Sequence, residues 1–201
     1  MTPPTVQFIR AGGPTLIIHD AFGGSGSATG RTPDTVDNGE VWQTSRTWVV
    51  GSGYLNATSS SGVQYCAIDP TASNFTVEAI SQGDDSVGTN YFRHGFYWHY
   101  DTSTGAFSRL IFDDDSTLTH QEYTGSIFTV NTNVDTFAAV ANNTDIDWSM
   151  TCNASSINWT ISVGGSTISS GSVTPTYSPS LIGFWHRYGN TARCLDFKVY
   201  A

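Results

Sequence analysis

The densest group of side chains that could recognise a ligand lies between residues 91 and 100, where aromatic residues are interspersed with histidine and arginine. Flat aromatic rings can stack on the C–H faces of sugars, while planar polar groups beside them bond to the hydroxyls. Because alternate residues of a strand share a face, one face should carry the polar members. These are Tyr91, Arg93, Tyr97 and His99. Together with Trp185 and Arg187, a similar pair on a later strand, they form the predicted carbohydrate face.

The other face of the same strand is more apolar, and alternation assigns it to the core. Its members are Phe92, His94, Phe96, Trp98 and Tyr100. The competing interpretation is that the aromatic residues of both faces only pack, because large rings dominate the cores of β-sandwiches. A single β-bulge in this strand would also exchange the two faces beyond it.

Hydrolysis of a polysaccharide would require two carboxyl groups flanking the bond, about 5–5.5 Å apart for retention and about 6.5–9.5 Å apart for inversion. Acids at positions i and i+2 of a strand would share a face and could supply them. The glutamates are Glu40, Glu78 and Glu122, and none is followed two residues later by another acid. Asp145 and Asp147 have that spacing but lack a third acidic partner. The sequence therefore predicts no catalytic residue and no enzyme, and a hydrolase that uses Glu78 or Glu122 is the remaining alternative.

Two groups of aspartates, at 84–85 and 113–115, could offer oxygen ligands to calcium. Successive acids on an extended chain point apart, so solvated turn residues are the favoured interpretation and calcium is the alternative. The histidines show neither i, i+2 nor i, i+4 spacing, and Cys66, Cys152 and Cys194 lie far apart in the chain. No metal site and no cofactor are therefore predicted, and the three cysteines are expected to be small buried thiols.

The charge of the chain limits its partners. The 17 acidic residues oppose 8 basic ones, and the formal net charge of −9 repels phosphate backbones, which argues against nucleic-acid binding. The first four residues do not begin a signal peptide, because they lack a basic start and an apolar run. The longest apolar stretch, 137–141, is too short to cross a membrane. Three cysteines, an odd number, fit synthesis in a reducing cytosol.

Short β-branched and aromatic runs between turn residues predict an all-β chain. Aspartate greatly outnumbers glutamate and Lys198 is the single lysine, which argues against helices. The predicted strands are 15–19, 41–44, 47–50, 64–68, 75–81, 91–100, 106–112, 119–123, 136–141, 146–152, 158–163, 166–170, 181–187 and 192–200. Residues 101–105 predict a hairpin loop, and Gly164 with Gly165 predicts a two-residue turn. So many strands require two packed sheets.

Two stretches at opposite ends of the chain carry a resemblance to a known family. The stretches contain residues 20–24, 30–34, Trp42 and 48–55 at one end, and 181–185 and 194–201 at the other. Their order resembles that of concanavalin A-like lectin/glucanase (laminin-G-like) jelly rolls, of the kind found in bacteriophage structural proteins. The resemblance implies a two-sheet antiparallel jelly-roll β-sandwich over residues 15–201, with paired first and last strands, after an extended arm over residues 1–14. This sequence lacks the Glu-x-Asp-x-x-Glu motif of the glucanase branch.

The resemblance also implies a function, namely a non-enzymatic structural protein of the virion, such as a capsid decoration, cement or spike protein. The arm would dock on the capsid or another virion protein through Val6, Phe8 and Ile9, which could add to a sheet edge. Proteins of this kind act as symmetric homo-oligomers, and a trimer would match the local symmetry of many capsids. The alternative function is a carbohydrate-binding, lectin-like module or receptor-binding adhesin whose partner is a surface glycan.

Overall fold

Two antiparallel β-sheets make up the part of the protein that the computed structural model describes, namely residues 13–45, 47–51, 53–57, 64–83, 93–113, 116–186 and 192–201. The strands are β1 (Leu16–Asp20), β2 (Ser25–Ser27), β3 (Thr35–Val36), β4 (Gln43–Thr44), β5 (Trp48–Gly51), β6 (Leu55–Ala57), β7 (Gln64–Ile68), β8 (Phe75–Gln82), β9 (Arg93–Tyr100), β10 (Phe107–Asp113), β11 (Thr117–Tyr123), β12 (Phe128–Thr136), β13 (Ile146–Cys152), β14 (Ile157–Val163), β15 (Ser166–Val173), β16 (Ile182–His186) and β17 (Arg193–Tyr200). The chain is therefore all-β over these residues, as the sequence predicts.

Strands from distant parts of the chain alternate within each sheet. Sheet A has the order β15-β14-β13-β8-β17-β6-β5-β2, with β1 paired to β17 and β3 paired to β1. Sheet B has the order β12-β11-β10-β9-β16-β7-β4. The first and last of these strands, β1 and β17, are neighbours, and backbone hydrogen bonds of 2.8 and 2.9 Å join Thr15 and Ala201 in both directions. The predicted jelly-roll sandwich with paired ends is confirmed.

The inward faces of the two sheets meet in a core rich in aromatic residues. Its largest fully buried side chains include Trp42, Trp48, Trp98, Phe96, Phe184 and Phe197. Phe96 of sheet B contacts Trp148 and Phe197 of sheet A, with ring centroids 5.1 and 6.2 Å apart. Burial of one such side chain contributes about 1.5–3 kcal/mol. Ring pairs of this kind therefore stabilise the stacking of one sheet on the other.

One buried carboxylate holds the glycine-rich segment after β1. Asp20 accepts hydrogen bonds from Nε and Nη2 of Arg31, at 3.1 and 3.0 Å. It also accepts from Nε1 of Trp42 and from the backbone N–H of Phe22, both at 2.8 Å. Burying a charge is costly, and an opposite charge together with hydrogen bonds offsets that cost. This network explains why an aspartate, an arginine and a tryptophan occur together in the opening stretch of the sequence.

The prediction for residues 136–141 is wrong. The structure has β12 at Phe128–Thr136 and leaves residues 137–141 outside the strands. β12 is an edge strand of sheet B, and most of its residues are exposed. A strand that buries so little surface needs no hydrophobic alternation, so its polar sequence gave no strand signal. The short strands β2, β3 and β6 were not predicted either, because two or three residues cannot establish a period.

Both predicted hairpins are present. Residues 101–105 connect β9 to β10, which pair antiparallel. Gly164 and Gly165 connect β14 to β15 with φ angles of 57° and 78°. Positive φ at both central residues is the geometry of a type I′ turn, which matches the twist of the two strands.

The three cysteines are buried, as predicted, and the structure shows them free of disulfide bonds. Burial raises the pKa of the Cys152 thiol to about 12, and it raises the pKa of Cys66 and Cys194 as well. Because the thiolate is the reactive form, these cysteines act as packing residues near neutral pH.

The predicted docking residues of the arm, Val6, Phe8 and Ile9, lie outside the described residues. Within the described ranges, no helix has the length and hydropathy of a membrane span.

Candidate functional site

A second apolar cluster lies apart from the core, on the outward face of sheet B. Its buried members are Tyr65, Ala67, Tyr97, Phe107, Ile111 and Trp185. All six belong to strands of sheet B, whereas the main core draws residues from both sheets. Tyr100 and Tyr123 pack against this cluster and are only partly buried. Concentrated aromatic surface on the outer face of a sheet is typical of a binding site.

A β-bulge in β9 decides which aromatic residues reach this face. Tyr97 pairs with Arg109 and His99 pairs with Ser108, so Trp98 between them has no partner in β10. Beyond the bulge the two faces of β9 are exchanged. Tyr100 therefore lies on the outward face beside Tyr97, with ring centroids 5.5 Å apart. The assignment of Tyr100 to the core and of His99 to the carbohydrate face is corrected accordingly.

A buried arginine occupies the centre of the outward cluster. The guanidinium of Arg109 lies 4.0 Å from the ring centroid of Trp185 and 4.3 Å from that of Phe107. Its Nη1 donates to the hydroxyl of Tyr97 at 3.0 Å, and its Nε and Nη2 donate to Oε1 of Gln121 at 3.0 and 2.7 Å. Only 4% of the residue is exposed, and this burial lowers the pKa of Arg109. The aromatic cluster is thus built around a cation.

Amide and hydroxyl groups continue this surface towards the edge of sheet B. Nε2 of Gln121 donates to Oδ1 of Asn131 at 2.8 Å. One step along the same strands, the hydroxyl of Thr119 donates to Oδ1 of Asn133 at 2.9 Å. Asn131 and Asn133 are exposed, and Thr119 and Gln121 are partly exposed. The remaining donors and acceptors of these four side chains suit a polar ligand.

An open cleft adjoins the outward cluster, and we name it the aromatic cleft. It is lined by Ser45, Tyr100, Gly105, Phe107, Tyr123 and Phe128, and its volume is about 330 Å³. The rings of Phe107 and Tyr123 are 5.2 Å apart, and those of Tyr123 and Phe128 are 5.0 Å apart. Phe128 is 50% exposed, so the row of rings opens to solvent at its outer end.

Two hairpin loops form the rim of the aromatic cleft and support each other. Asp101 accepts hydrogen bonds from the backbone and hydroxyl groups of Ser103 and Thr104, at 2.7–3.3 Å. These bonds hold the pKa of Asp101 well below its usual range. In the facing loop, Gly125 has a φ of 91°, and a Cβ there would lie only 2.2 Å from the carbonyl oxygen of Thr104. The rim is therefore a close-packed structure.

The residues of the predicted carbohydrate face are only partly brought together. Tyr97 and Trp185 meet around Arg109, but both are buried. Arg93 forms an ion pair with Asp113 at the far end of β9. Tyr91 and Arg187 lie outside the described residues.

His99 lies away from the aromatic cleft, against the segment that precedes β16. Its ring stacks on Tyr177 with centroids 4.8 Å apart. Its Nδ1 lies 2.9 Å from the hydroxyl of Ser180 and 3.1 Å from the carbonyl oxygen of Ser178. Burial lowers the pKa of His99. These contacts hold the segment against the end of sheet B.

Four residues of the site were not predicted as site residues, namely Phe107, Arg109, Tyr123 and Phe128. Phe107, Arg109 and Tyr123 lie in predicted strands, so alternation could have placed them on a common face with Gln121. Phe128 begins the edge strand β12, which gave no strand signal. Whether these residues become neighbours depends on the pairing register of β10, β11 and β12, and the sequence of one strand does not reveal that register.

The glutamates considered for hydrolysis lie on different parts of the sandwich. Glu122 is fully buried and accepts a hydrogen bond from the backbone N–H of Thr176 at 2.9 Å. Glu78 lies on the exposed side of sheet A, where the hydroxyl of Tyr200 donates to it at 3.1 Å. They therefore do not flank a common cleft.

The described residues contain no group of three or more side chains suited to hold a metal ion. Asp113, one of the aspartates considered for calcium, instead pairs with Arg93. The other members of those two groups, at 84–85 and 114–115, lie outside the described residues.

Comparison with known proteins identifies the fold. No family model and no curated protein matches the sequence. Among solved structures, the chain is similar to the carbohydrate-binding module CBM66 from Bacillus subtilis, with 13% identity, a TM-score of 0.62, and coverage of 80% of this chain and 95% of that one. It is also similar to the CBM2 module of the evolved Dit of Lactobacillus casei BL23 phage J-1 (10% identity, TM-score 0.56, coverage 92% and 95%) and to a Lotus tetragonolobus seed lectin (9%, 0.55, 81% and 93%). At such low identity these likenesses show the fold, a concanavalin A-like jelly roll.

Proposed function

We propose that this protein binds carbohydrate in the aromatic cleft. The observation that carries the proposal is a row of four rings across four neighbouring strands, with Tyr100 on β9, Phe107 on β10, Tyr123 on β11 and Phe128 on β12. Since neighbouring strands lie about 4.8 Å apart, the row extends over about 14 Å. A surface of this length suits an oligosaccharide, whose sugar rings can stack on successive aromatic side chains.

The polar side chains beside the row support the same function. A sugar offers hydroxyl groups that both donate and accept hydrogen bonds, and Gln121, Asn131, Thr119 and Asn133 carry groups of both kinds. The names of the similar structures, which are carbohydrate-binding modules and a lectin, add support from the fold. Neither observation involves a pair of catalytic acids, and we propose a binding protein rather than a hydrolase.

A matched pair of variants tests this proposal. Phe128→Ala removes an exposed ring of the aromatic cleft, whereas Ile127→Ala removes the neighbouring side chain, which is 65% exposed and does not line the cleft. For a glycan selected on an array, we expect Phe128→Ala to weaken binding about tenfold, equivalent to about 1.4 kcal/mol, and Ile127→Ala to leave it unchanged. Calorimetric titration measures both. Equal affinity of the two variants, or no glycan bound by the wild type, would contradict the proposal.

We further propose that the protein works on a bacteriophage particle, where glycan binding would attach the particle to a cell surface. The likeness to a module of phage J-1 supports this location. In this proposal residues 1–14 dock the protein to a capsid or another virion protein. Deletion of these residues should remove the protein from purified particles and leave its glycan affinity intact. Full occupancy of particles by the shortened protein would exclude this role for the arm.

A further inference from the structure

We propose that the glycan bound in the aromatic cleft is acidic, carrying a carboxylate or a comparable anionic group that Arg109 attracts. This inference rests on the proposed function and adds the chemical class of the ligand. Its basis is a buried cation beside the cleft that no acidic side chain among the described residues neutralises.

The partners of Arg109 differ from those of Arg31 and Arg93. Arg31 pairs with Asp20 and Asp34, and Arg93 pairs with Asp113. Arg109 instead contacts the rings of Trp185 and Phe107, and among the described residues its side chain donates hydrogen bonds to Tyr97 and Gln121. None of these groups carries a negative charge near neutral pH. The positive charge on this face of sheet B is therefore left without a counter-ion among the described residues.

The tyrosines of the cluster cannot provide the missing charge. Burial raises the pKa of Tyr97 and of Tyr65, and it raises the pKa of Tyr100 to about 12. All three phenols therefore stay neutral at physiological pH. They serve as hydrogen-bond partners and leave the charge of the guanidinium in place.

The geometry leaves Arg109 able to act on a ligand. A guanidinium has five N–H groups. Three are used, one by Tyr97 and two by Gln121. The guanidinium also lies against the ring of Phe107, which lines the aromatic cleft. A buried charge acts through a medium of low effective dielectric constant, so its attraction for an anion is stronger than that of a surface arginine.

The net charge of −9 does not cancel this local attraction. Two carboxylates are adjacent in the chain to residues that line the cleft. Glu122, which precedes Tyr123, is buried and accepts a hydrogen bond from the backbone N–H of Thr176. The other is Asp101, which follows Tyr100. Asp101 is partly exposed and already accepts hydrogen bonds from Ser103 and Thr104, so solvent and its own loop screen it. An acidic protein with a buried cation beside its cleft should therefore discriminate sharply between glycans according to where their charges lie.

Paired glycans test the inference on the unmodified full chain. The array carries uronate-, sialate- and phosphate-containing glycans, each beside its esterified or otherwise neutralised form, together with neutral glycans. We expect the hits among the charged members and a loss of about tenfold to a hundredfold on neutralisation, as for charge-assisted hydrogen bonds. Preference for neutral glycans, or equal affinity within the pairs, would overturn the inference and leave the proposed function standing. A blank array would overturn both.

Two variants of Arg109 connect the preference to this residue. Arg109→Lys keeps a charge, whereas Arg109→Met removes it and keeps an apolar stem, and thermal unfolding identifies any variant that fails to fold. We expect the difference in affinity between the charged and neutralised glycans to disappear in Arg109→Met and to persist, reduced, in Arg109→Lys. A difference that survives unchanged in folded Arg109→Met would assign the preference to another group. The comparison of paired glycans on the wild type decides the inference if Arg109→Met does not fold.

Discussion

Two buried charges show how differently single residues are used in this protein. Asp20 has four hydrogen-bond contacts and an arginine partner, so its charge is satisfied within the fold. Arg109 has neutral partners, and its charge remains available. The first arrangement is structural and the second is a candidate for recognition, although both residues are almost fully buried.

The role of Asp20 predicts a large loss of stability on neutralisation. Asp20→Asn leaves Arg31 without its buried partner and replaces an acceptor with an amide N–H, so we expect the free energy of unfolding to fall by about 3 kcal/mol. Asp34 also contacts Arg31, at 3.2 Å, but is exposed, and Asp34→Asn should cost less than about 1 kcal/mol. Urea unfolding of both variants measures the difference. Similar losses in the two variants would refute the network described for Asp20.

Buried His94 predicts a stability that falls in mild acid. Burial and the nearby His186 lower its pKa to about 3, and its Nε2 lies 2.8 Å from the hydroxyl of Ser81, which also accepts from Trp148. The unfolded chain binds a proton near pH 6.5 and the folded chain does not. Stability is therefore complete above pH 6.5 and is lost as the pH falls from there towards 3, by up to about 1.4 kcal/mol per pH unit for this one group.

The substitution His94→Gln isolates this contribution. It removes the titrating group, so the decrease in unfolding free energy between pH 7 and pH 5 should become smaller. His99 and His120, whose pKa values burial also lowers, would account for the decrease that remains. Urea unfolding at several pH values gives the slope, and an unchanged slope in His94→Gln would mean that His94 is protonated in the folded protein.

At the scale of the elements, the sequence was informative wherever a strand buries one or two faces. Alternating apolar residues predicted β8 and β13, and paired glycines predicted the turn between β14 and β15. The edge strand β12 was not predicted, because its residues are mostly polar and exposed and show no hydrophobic alternation. The bulge at Trp98 was not predicted either, because no residue type near it marks a break in the regular pairing of β9 with β10. That one bulge determines whether Tyr100 or His99 reaches the aromatic cleft.

The packing of the two rim loops predicts that replacing Gly125 by alanine costs more stability than replacing Gly164, a glycine of the turn between β14 and β15. Gly125→Ala would place a Cβ against the carbonyl oxygen of Thr104, whereas Gly164, whose φ is also positive, has open space around it. We expect about 1 kcal/mol of destabilisation from the backbone strain at Gly164, and about 1–3 kcal/mol more at Gly125 from the clash. Thermal unfolding measures both.

The same pair of variants reports on the cleft. Because the clash at Gly125 separates the rim loops, glycan affinity should fall in Gly125→Ala and stay at the wild-type value in Gly164→Ala. Full affinity in Gly125→Ala would show that the packing of the loops does not shape the site.

At the scale of the whole molecule, the two outward faces of the sandwich have different chemistry. The groove on sheet A, of about 290 Å³, is lined by charged residues such as Glu78, Asp147 and Lys198, several of them paired within the sheet. Sheet B carries aromatic rings and a buried arginine. Composition could not reveal this division, because it depends on which strands lie side by side. The fold was predictable from the order of motifs, whereas the site required the register of β9 to β12.

The most direct measurement is chemical-shift mapping of the isotopically labelled protein during titration with a glycan selected on the array. The aromatic cleft predicts saturable shifts at Tyr100, Phe107, Tyr123 and Phe128, with smaller changes at Arg109 and Gln121 and none at Glu78 or Lys198. Shifts confined to the charged groove of sheet A would contradict the proposed site and show that the protein binds its glycan on the opposite face of the sandwich.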